Sequence, residues 1–184
     1  TFSIEKFYLS LKSQGLQVGK NTLHDYLAFL EDAFLVRTVS LHTASERQRM
    51  VNPRKAYPVD PGLIPVYERF GRANVGRALE TAIMLELERR AGEPSYLRTH
   101  AGYEVDFHTQ APGGGEYLIQ VAAEVTDGDT WHREIRALLD AAKAFPTATA
   151  LLLTATNEPP QETLPAPPIW QSASAWLLNE PITR

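Results

Sequence analysis

The sequence predicts a chain of mixed α+β / α/β class in two units: a helix-turn-helix segment with a following hairpin over residues 1–62, then an α/β domain over residues 63–184. Three observations predict it. Apolar residues recur at helical spacing twice before residue 35, with a glycine-marked turn between the runs. Two β-branched or aromatic stretches, 35–41 and 55–59, flank a polar tip. From Val75 onward the order is helix, three strands, helix, strand, which builds a mixed central sheet flanked by helices.

In the first unit Ser3 is placed to cap a helix that carries Ile4, Phe7, Tyr8 and Leu11 on one stripe and stops at Gly15. A second helix runs from Lys20 to Phe34 with Leu23, Tyr26, Leu27, Leu30 and Phe34 on its stripe. The hairpin follows, with Thr43–Arg49 as its polar tip and Lys55–Val59 as the returning strand, ended by Asp60-Pro61-Gly62. A hairpin in that position is a wing.

In the second unit Val75–Ala91 is a helix with Val75, Leu79, Ile83 and Leu87 on one face. Ser95–Thr99, Tyr103–Thr109 and Tyr117–Val121 read as strands, the last two joined by the glycines at 113–115. Asp129 or Thr130 is expected to cap a helix reaching Ala144, and Thr149–Thr154 is a short apolar strand of the buried type. Residues 159–168 form a proline-rich connector, and Trp176–Leu178 closes the apolar pattern.

Composition excludes several function classes. The chain has no cysteine, so disulfides, thiolate metal sites and cysteine nucleophiles are ruled out, in keeping with a cytoplasmic location. The five histidines form no H-x-x-x-H pair, and there is no G-x-S-x-G elbow. Gly15–Thr22 is one residue short of a phosphate-binding loop and has Asn21 where the hydroxyl belongs. No apolar run suits a membrane helix, and the start at Thr rather than Met reads as a piece of a longer polypeptide. Net charge is −4, yet residues 1–60 carry eight Lys/Arg against six Asp/Glu, and the rest ten against sixteen. Any contact with DNA therefore falls to the first unit: Lys20, Asn21 and His24 on the second helix, with Arg47, Arg49, Arg54 and Lys55 on the wing. The bland alternative is a solvated or domain-packing face.

The chemistry-bearing residues are sparse. Glu80 stands three, four and seven residues before Ile83, Met84 and Leu87, so a carboxylate lies on or beside an apolar helix face and needs a partner, such as a backbone group or Arg98. Asp106 and Glu104 share one side of their strand, with Val105 and Phe107 on the other. Gln120 projects from the neighbouring strand, two residues before Ala122.

Helix-Glu80, strand-Asp106 and the neighbouring-strand pair Gln120/Ala122 resemble, in order and spacing, the PD-(D/E)XK (restriction-endonuclease-like) core, in which Glu stands at the position of Gln120 and Lys at that of Ala122. Further stretches, Lys20–Leu23, Leu30–Leu35, Lys55–Leu63, Gly76–Glu80 and Thr130–Glu134, resemble the C-terminal region of a group of prokaryotic AAA+ ATP-binding proteins, a winged helix followed by a nuclease-like domain. That resemblance implies an upstream ATPase domain in the same polypeptide as partner and a first wing-module helix upstream of Thr1. It makes Glu80, Asp106 and Gln120 a vestigial catalytic set, with Glu80 and Asp106 as weak metal ligands. The missing cation argues against hydrolysis, because developing phosphorane charge loses its partner. The expected function is a non-catalytic, DNA-binding or domain-docking accessory, needing no cofactor. The alternatives are an endonuclease using Mg2+ or Mn2+ and a migrated cation, Lys143 or Arg133, and a scaffold for homo-oligomers or other proteins. Glu80 and Asp106 are expected to approach each other with no lysine between them.

Overall fold

The computed structural model describes residues 3–67, 74–123, 128–160 and 163–179. The chain begins with α1 (Ile4–Ser13) and α2 (Lys20–Asp32), and Ser3 Oγ accepts from the Lys6 N–H as the expected cap. Gly15 ends α1 with φ of 79°, a conformation that costs a glycine little. Strands β1 (Val36–Val39) and β2 (Lys55–Pro58) pair antiparallel. The connection expected to be a bare polar tip contains a helix, α3 (Glu46–Val51), because Ser45 caps it from its side chain and Glu46 lies in its first turn. A 3-10 turn at Pro61–Leu63 and the short α4 (Ile64–Tyr67) follow.

The chain continues with α5 (Val75–Ala91), as the periodicity predicts, capped by the Asn74 side chain. Five strands follow: β3 (Ser95–Arg98), β4 (Glu104–Gln110), β5 (Glu116–Ala122), β6 (Thr149–Thr154) and β7 (Ile169–Ser172), in that spatial order. The first three are antiparallel, while β5–β6 and β6–β7 are parallel, so the sheet is mixed. Between β5 and β6 lies α6 (Gly128–Ala144), and α7 (Ala173–Leu178) ends the described chain. The cap expected at Asp129 or Thr130 falls among side chains outside the described set; the α6 backbone already begins at Gly128.

Each face of the sheet has its own core. Ile83, Met84 and Leu87 of α5 meet Tyr96, Phe107, Ile119, Leu153 and Trp176 on one face, joined by Val39 and Tyr57 of the hairpin. Trp131, Ile135 and Leu138 of α6 meet Leu97, Val105, Leu118 and Leu152 on the other. Two corrections to the sequence reading emerge. Strand β7 was absent from it, because Ile169–Ser172 follows a proline-rich stretch and is too short to show a period. Val105 and Phe107 do not share a side. Ser95 pairs with His108 and Leu97 with Val105, so Tyr96 alone faces Asp106 and Phe107 in a β-bulge. The extra residue turns Phe107 toward α5, whereas Val105 faces α6.

The hairpin is joined to this sheet. Leu41, just past β1, forms a parallel bridge with Tyr96, the His42 N–H donates to Tyr96 O (2.7 Å), and the Tyr96 N–H donates to Ser40 O (3.0 Å). The Tyr96 hydroxyl donates to Pro53 O (2.6 Å), and Arg37 pairs with Glu88 (3.1 Å).

Candidate functional site

Period-two alternation in β2 turns Lys55 and Tyr57 inward and leaves Ala56 outside. Inward, here, means toward α5 and the start of β4. The Lys55 Nζ lies 2.6 Å from Asp106 Oδ1, 3.0 Å from Glu80 Oε1 and 3.3 Å from Glu104 Oε1. Tyr57 donates its hydroxyl to Glu80 Oε1 at 2.7 Å. A lysine buried to 6% exposure is thus surrounded by three carboxylates from two other elements.

The far oxygen of Asp106 is also taken. Its Oδ2 accepts from Gln120 Nε2 (2.8 Å) and from the Val121 N–H (3.0 Å), and the Asp106 N–H donates back to Gln120 Oε1 (3.3 Å). Gln120 Nε2 also donates to Glu134 Oε2 of α6 (2.5 Å), whose other oxygen takes Arg133 (2.7 Å). Gln120 therefore relays between two carboxylates. Above the cluster lies a cavity of about 910 Å³, walled by Leu30, Leu35, Leu63 and Ile64 and floored by Lys55 and the acids.

Electrostatics follow from this crowding. Burial by itself would lower the Lys55 ammonium, but the charges of Asp106 and Glu80 overturn that and hold it above its ordinary value. Burial raises the Asp106 carboxyl to about 6 against the opposing pull of Lys55, and the charge of Glu80 adds to the rise. Burial, then Glu80, also pushes the Tyr57 phenol upward. One ammonium against three carboxylates leaves an excess of negative charge, partly relieved where Arg98 meets Glu104 at 3.4 Å.

Several expectations are corrected. A lysine does stand between Glu80 and Asp106, and it comes from the hairpin. Glu80 pairs with Lys55 and Tyr57 rather than with Arg98. Lys55 is consequently not a phosphate contact on the wing. Lys143 is exposed and pairs with Asp140 (3.5 Å), while Arg133 reaches Glu134 rather than Asp106, so neither supplies the cation. Of the remaining DNA-facing candidates, Lys20, Asn21, His24, Arg47 and Arg49 are exposed and Arg54 is half-buried. Lys20 also pairs with Glu5, and Arg49 with Glu46 (3.1 Å).

Sequence reasoning missed Tyr57 and Glu134 as members of the cluster. The signal for Tyr57 was the Lys-x-Tyr alternation, which puts both side chains on one face; nothing local marks Glu134. Among the described residues no group of three or more His, Cys, Asp or Glu side chains is arranged to hold a metal ion.

Residues 4–72 match a family described as a domain of unknown function, DUF8612. The match covers both N-terminal helices, the hairpin and α4, and stops short of α5. The chain is also 31% identical over 144 residues to a protein of Methanocaldococcus jannaschii described as uncharacterized protein MJ1544. That alignment takes in 77% of this chain and 31% of the relative, so the chain spans about a third of the length of that relative. No solved structure matches the chain. Among the described residues no helix is long and apolar enough to cross a membrane.

Proposed function

We propose that this chain is a non-catalytic accessory region of a larger AAA+ ATPase-like protein, in which a winged-helix segment is fastened to a degenerate nuclease-like domain. The single observation carrying this reading is the Lys55 ammonium among Glu80, Glu104 and Asp106. A hydrolytic centre needs its carboxylates free to take a divalent ion and a cation free to meet phosphate. Here each is consumed by the other. Gln120 and the Val121 N–H occupy the remaining oxygen of Asp106, and the excess acid at the cavity floor repels a phosphodiester.

The centre acts as a joint between the two units. Breaking a buried charge pair by removing one partner costs about 3–5 kcal/mol, which makes such a cluster an effective fastening. The region then offers its parent protein a rigid body, with the exposed basic residues of α2 and α3 free to meet DNA and other faces free to dock the upstream ATPase domain. Oligomer formation and a cytoplasmic setting accompany this reading.

The second reading is a metal-dependent endonuclease that has moved its lysine to the hairpin. It is favoured by one observation, the 2.6 Å approach of Lys55 to Asp106, which puts an ammonium beside the acid that would ligate metal. Calorimetric titration with Mn2+ and incubation with supercoiled plasmid separate the two. The accessory reading expects no tight Mn2+ binding and no nicking. Metal-dependent nicking that disappears in both Asp106→Ala and Lys55→Ala would overturn it in favour of the endonuclease.

A further inference from the structure

The hairpin touches the sheet at a second place, and that contact is made of imidazoles. His42, immediately after the Leu41–Tyr96 bridge, lays its ring 4.0 Å centroid to centroid from that of His108 on β4, with Phe145 at 5.7 Å. His42 Nδ1 lies 3.5 Å and His108 Nδ1 3.3 Å from the one hydroxyl of Ser95. His108 is buried and meets Glu116 Oε1 through Nε2 at 2.8 Å. The neighbouring cavity of about 640 Å³ is lined by Arg37, Arg49, Glu88 and Glu93 as well as His42 and Ser95.

We propose that His42 is a proton-sensitive clasp, closing the outer end of the hairpin onto β3 when neutral and releasing it when protonated. The geometry gives the reason. His42 comes from the hairpin and His108, Ser95 and Glu116 from β4, β3 and β5, so undocking takes a ring that is already exposed on its outer side away from another imidazole. In the docked state an added proton puts charge against the His108 ring with Arg49 nearby, while Glu116, the nearest opposing charge among the described residues, is already engaged by His108, and Glu88 and Glu93 line the neighbouring cavity. Burial first, then His108, holds His42 below its ordinary value, in agreement with the contact geometry.

The sign follows. A group with a depressed basic value in the docked form binds its proton better once released, so docking is strongest above the ordinary histidine range and weakens as pH falls through it. The inner fastening at Lys55 responds with the opposite sign, because the Asp106 carboxyl, raised to about 6, weakens it only as pH climbs. Acidification therefore loosens one end of the hairpin and leaves the other held.

Amide hydrogen exchange on the whole chain, corrected for the intrinsic rate, tests this. Protection of the His42 and Tyr96 amides is expected to drop several-fold between about pH 7.5 and about pH 5.5, a range that spans the ordinary histidine value. The Val59 amide, which donates to Leu35 O inside the hairpin, is expected to hold its protection. His42→Phe and His42→Gln, which keep a side chain there but cannot titrate, should remove the pH dependence. Equal protection at both pH values in the unmodified chain, or the same drop in a variant, would overturn the proposal. Should neither variant fold, NMR titration of the His42 ring in the unmodified chain decides: a midpoint at or above 6.5, the reference value, overturns it and a lower one upholds it.

Discussion

Lys55 and Asp106, on strands of two different sheets, are joined by a 2.6 Å charge-assisted hydrogen bond that neither strand forms with its own sheet neighbours. The contact ties a residue of the basic stretch 1–60 to one of the acidic remainder. It also converts two side chains of opposite expected roles, a phosphate-seeking lysine and a metal-seeking aspartate, into each other's partners.

Replacing Lys55 by Met tests how much the joint holds. The substitution leaves Asp106, Glu80 and Glu104 clustered without their cation, and we expect a loss of about 3–5 kcal/mol in urea unfolding at neutral pH. Adding Asp106→Asn to the same chain should recover part of that loss, since the most buried of the three charges disappears with its partner.

Besides the contact at His42, the pH dependence of stability has three parts, two of them joined through the Lys55–Asp106 bond. Lys55 sits above its ordinary 10.5, so its contribution is complete below that pH and fades as pH rises beyond it; the difference in Tm between the unmodified chain and Lys55→Met should narrow there. Glu86, bonded to Arg89 and Arg90, is lowered from 4.5 to about 2, so its contribution is present above 4.5 and lost as pH falls toward 2. Glu86→Gln should therefore differ from the unmodified chain most clearly above 4.5. Asp106 carries the opposite sign: raised from 3.8 to about 6, it takes stability away as pH climbs through that interval.

Gln120→Glu distinguishes a relay from a degraded metal ligand. The amide nitrogen of Gln120 donates to both Asp106 and Glu134, so a carboxylate there faces two others with no donor between them. We expect a loss of about 2–3 kcal/mol at neutral pH, shrinking on acidification as a proton enters the trio. A variant as stable as the unmodified chain, and newly able to bind Mn2+ in calorimetry, would contradict the relay.

The proposed accessory reading puts DNA contact on the exposed Lys20, Asn21 and His24 of α2 and Arg47 and Arg49 of α3, and not on buried Lys55. Replacing the exposed Arg47 and Arg49 together by Ala should weaken binding to a duplex of any sequence. The same change should flatten the salt dependence by about one log unit per log unit of salt for each phosphate no longer neutralised. Fluorescence anisotropy at two salt concentrations reads both effects. Binding that ignores salt would assign this face to protein docking.

The regular elements were legible because each carries its own period: α5 from Val75 to Ala91 and β6 from Thr149 to Thr154 match the sequence reading residue for residue. The acid side of the site was legible for the same reason, since Glu80 interrupts an apolar helix face and Glu104 and Asp106 recur at spacing two. The cation was not. Lys55 lies in a strand whose charge pattern suggests a solvent-facing wing, and only the docking of that strand on α5 and β4 shows its side chain to be buried. The reversal at Phe107 was hidden as well, because a bulge changes which face a residue meets without changing the sequence pattern that suggests a strand. Glu134 needed the crossover that lays α6 beside β5.

The bridge between Leu41 and Tyr96 has a consequence for how copies of this chain behave in concentrated solution. Strand β3 is the outermost antiparallel strand of the five, and a bare outer strand offers its unpaired amides to any other strand that meets it. By taking the Tyr96 N–H and carbonyl, the segment at Ser40–His42 shields the middle of that border. Chains whose hairpin swung away would expose it, so the two hydrogen bonds that help hold the hairpin to the sheet also guard that border against pairing with a second copy.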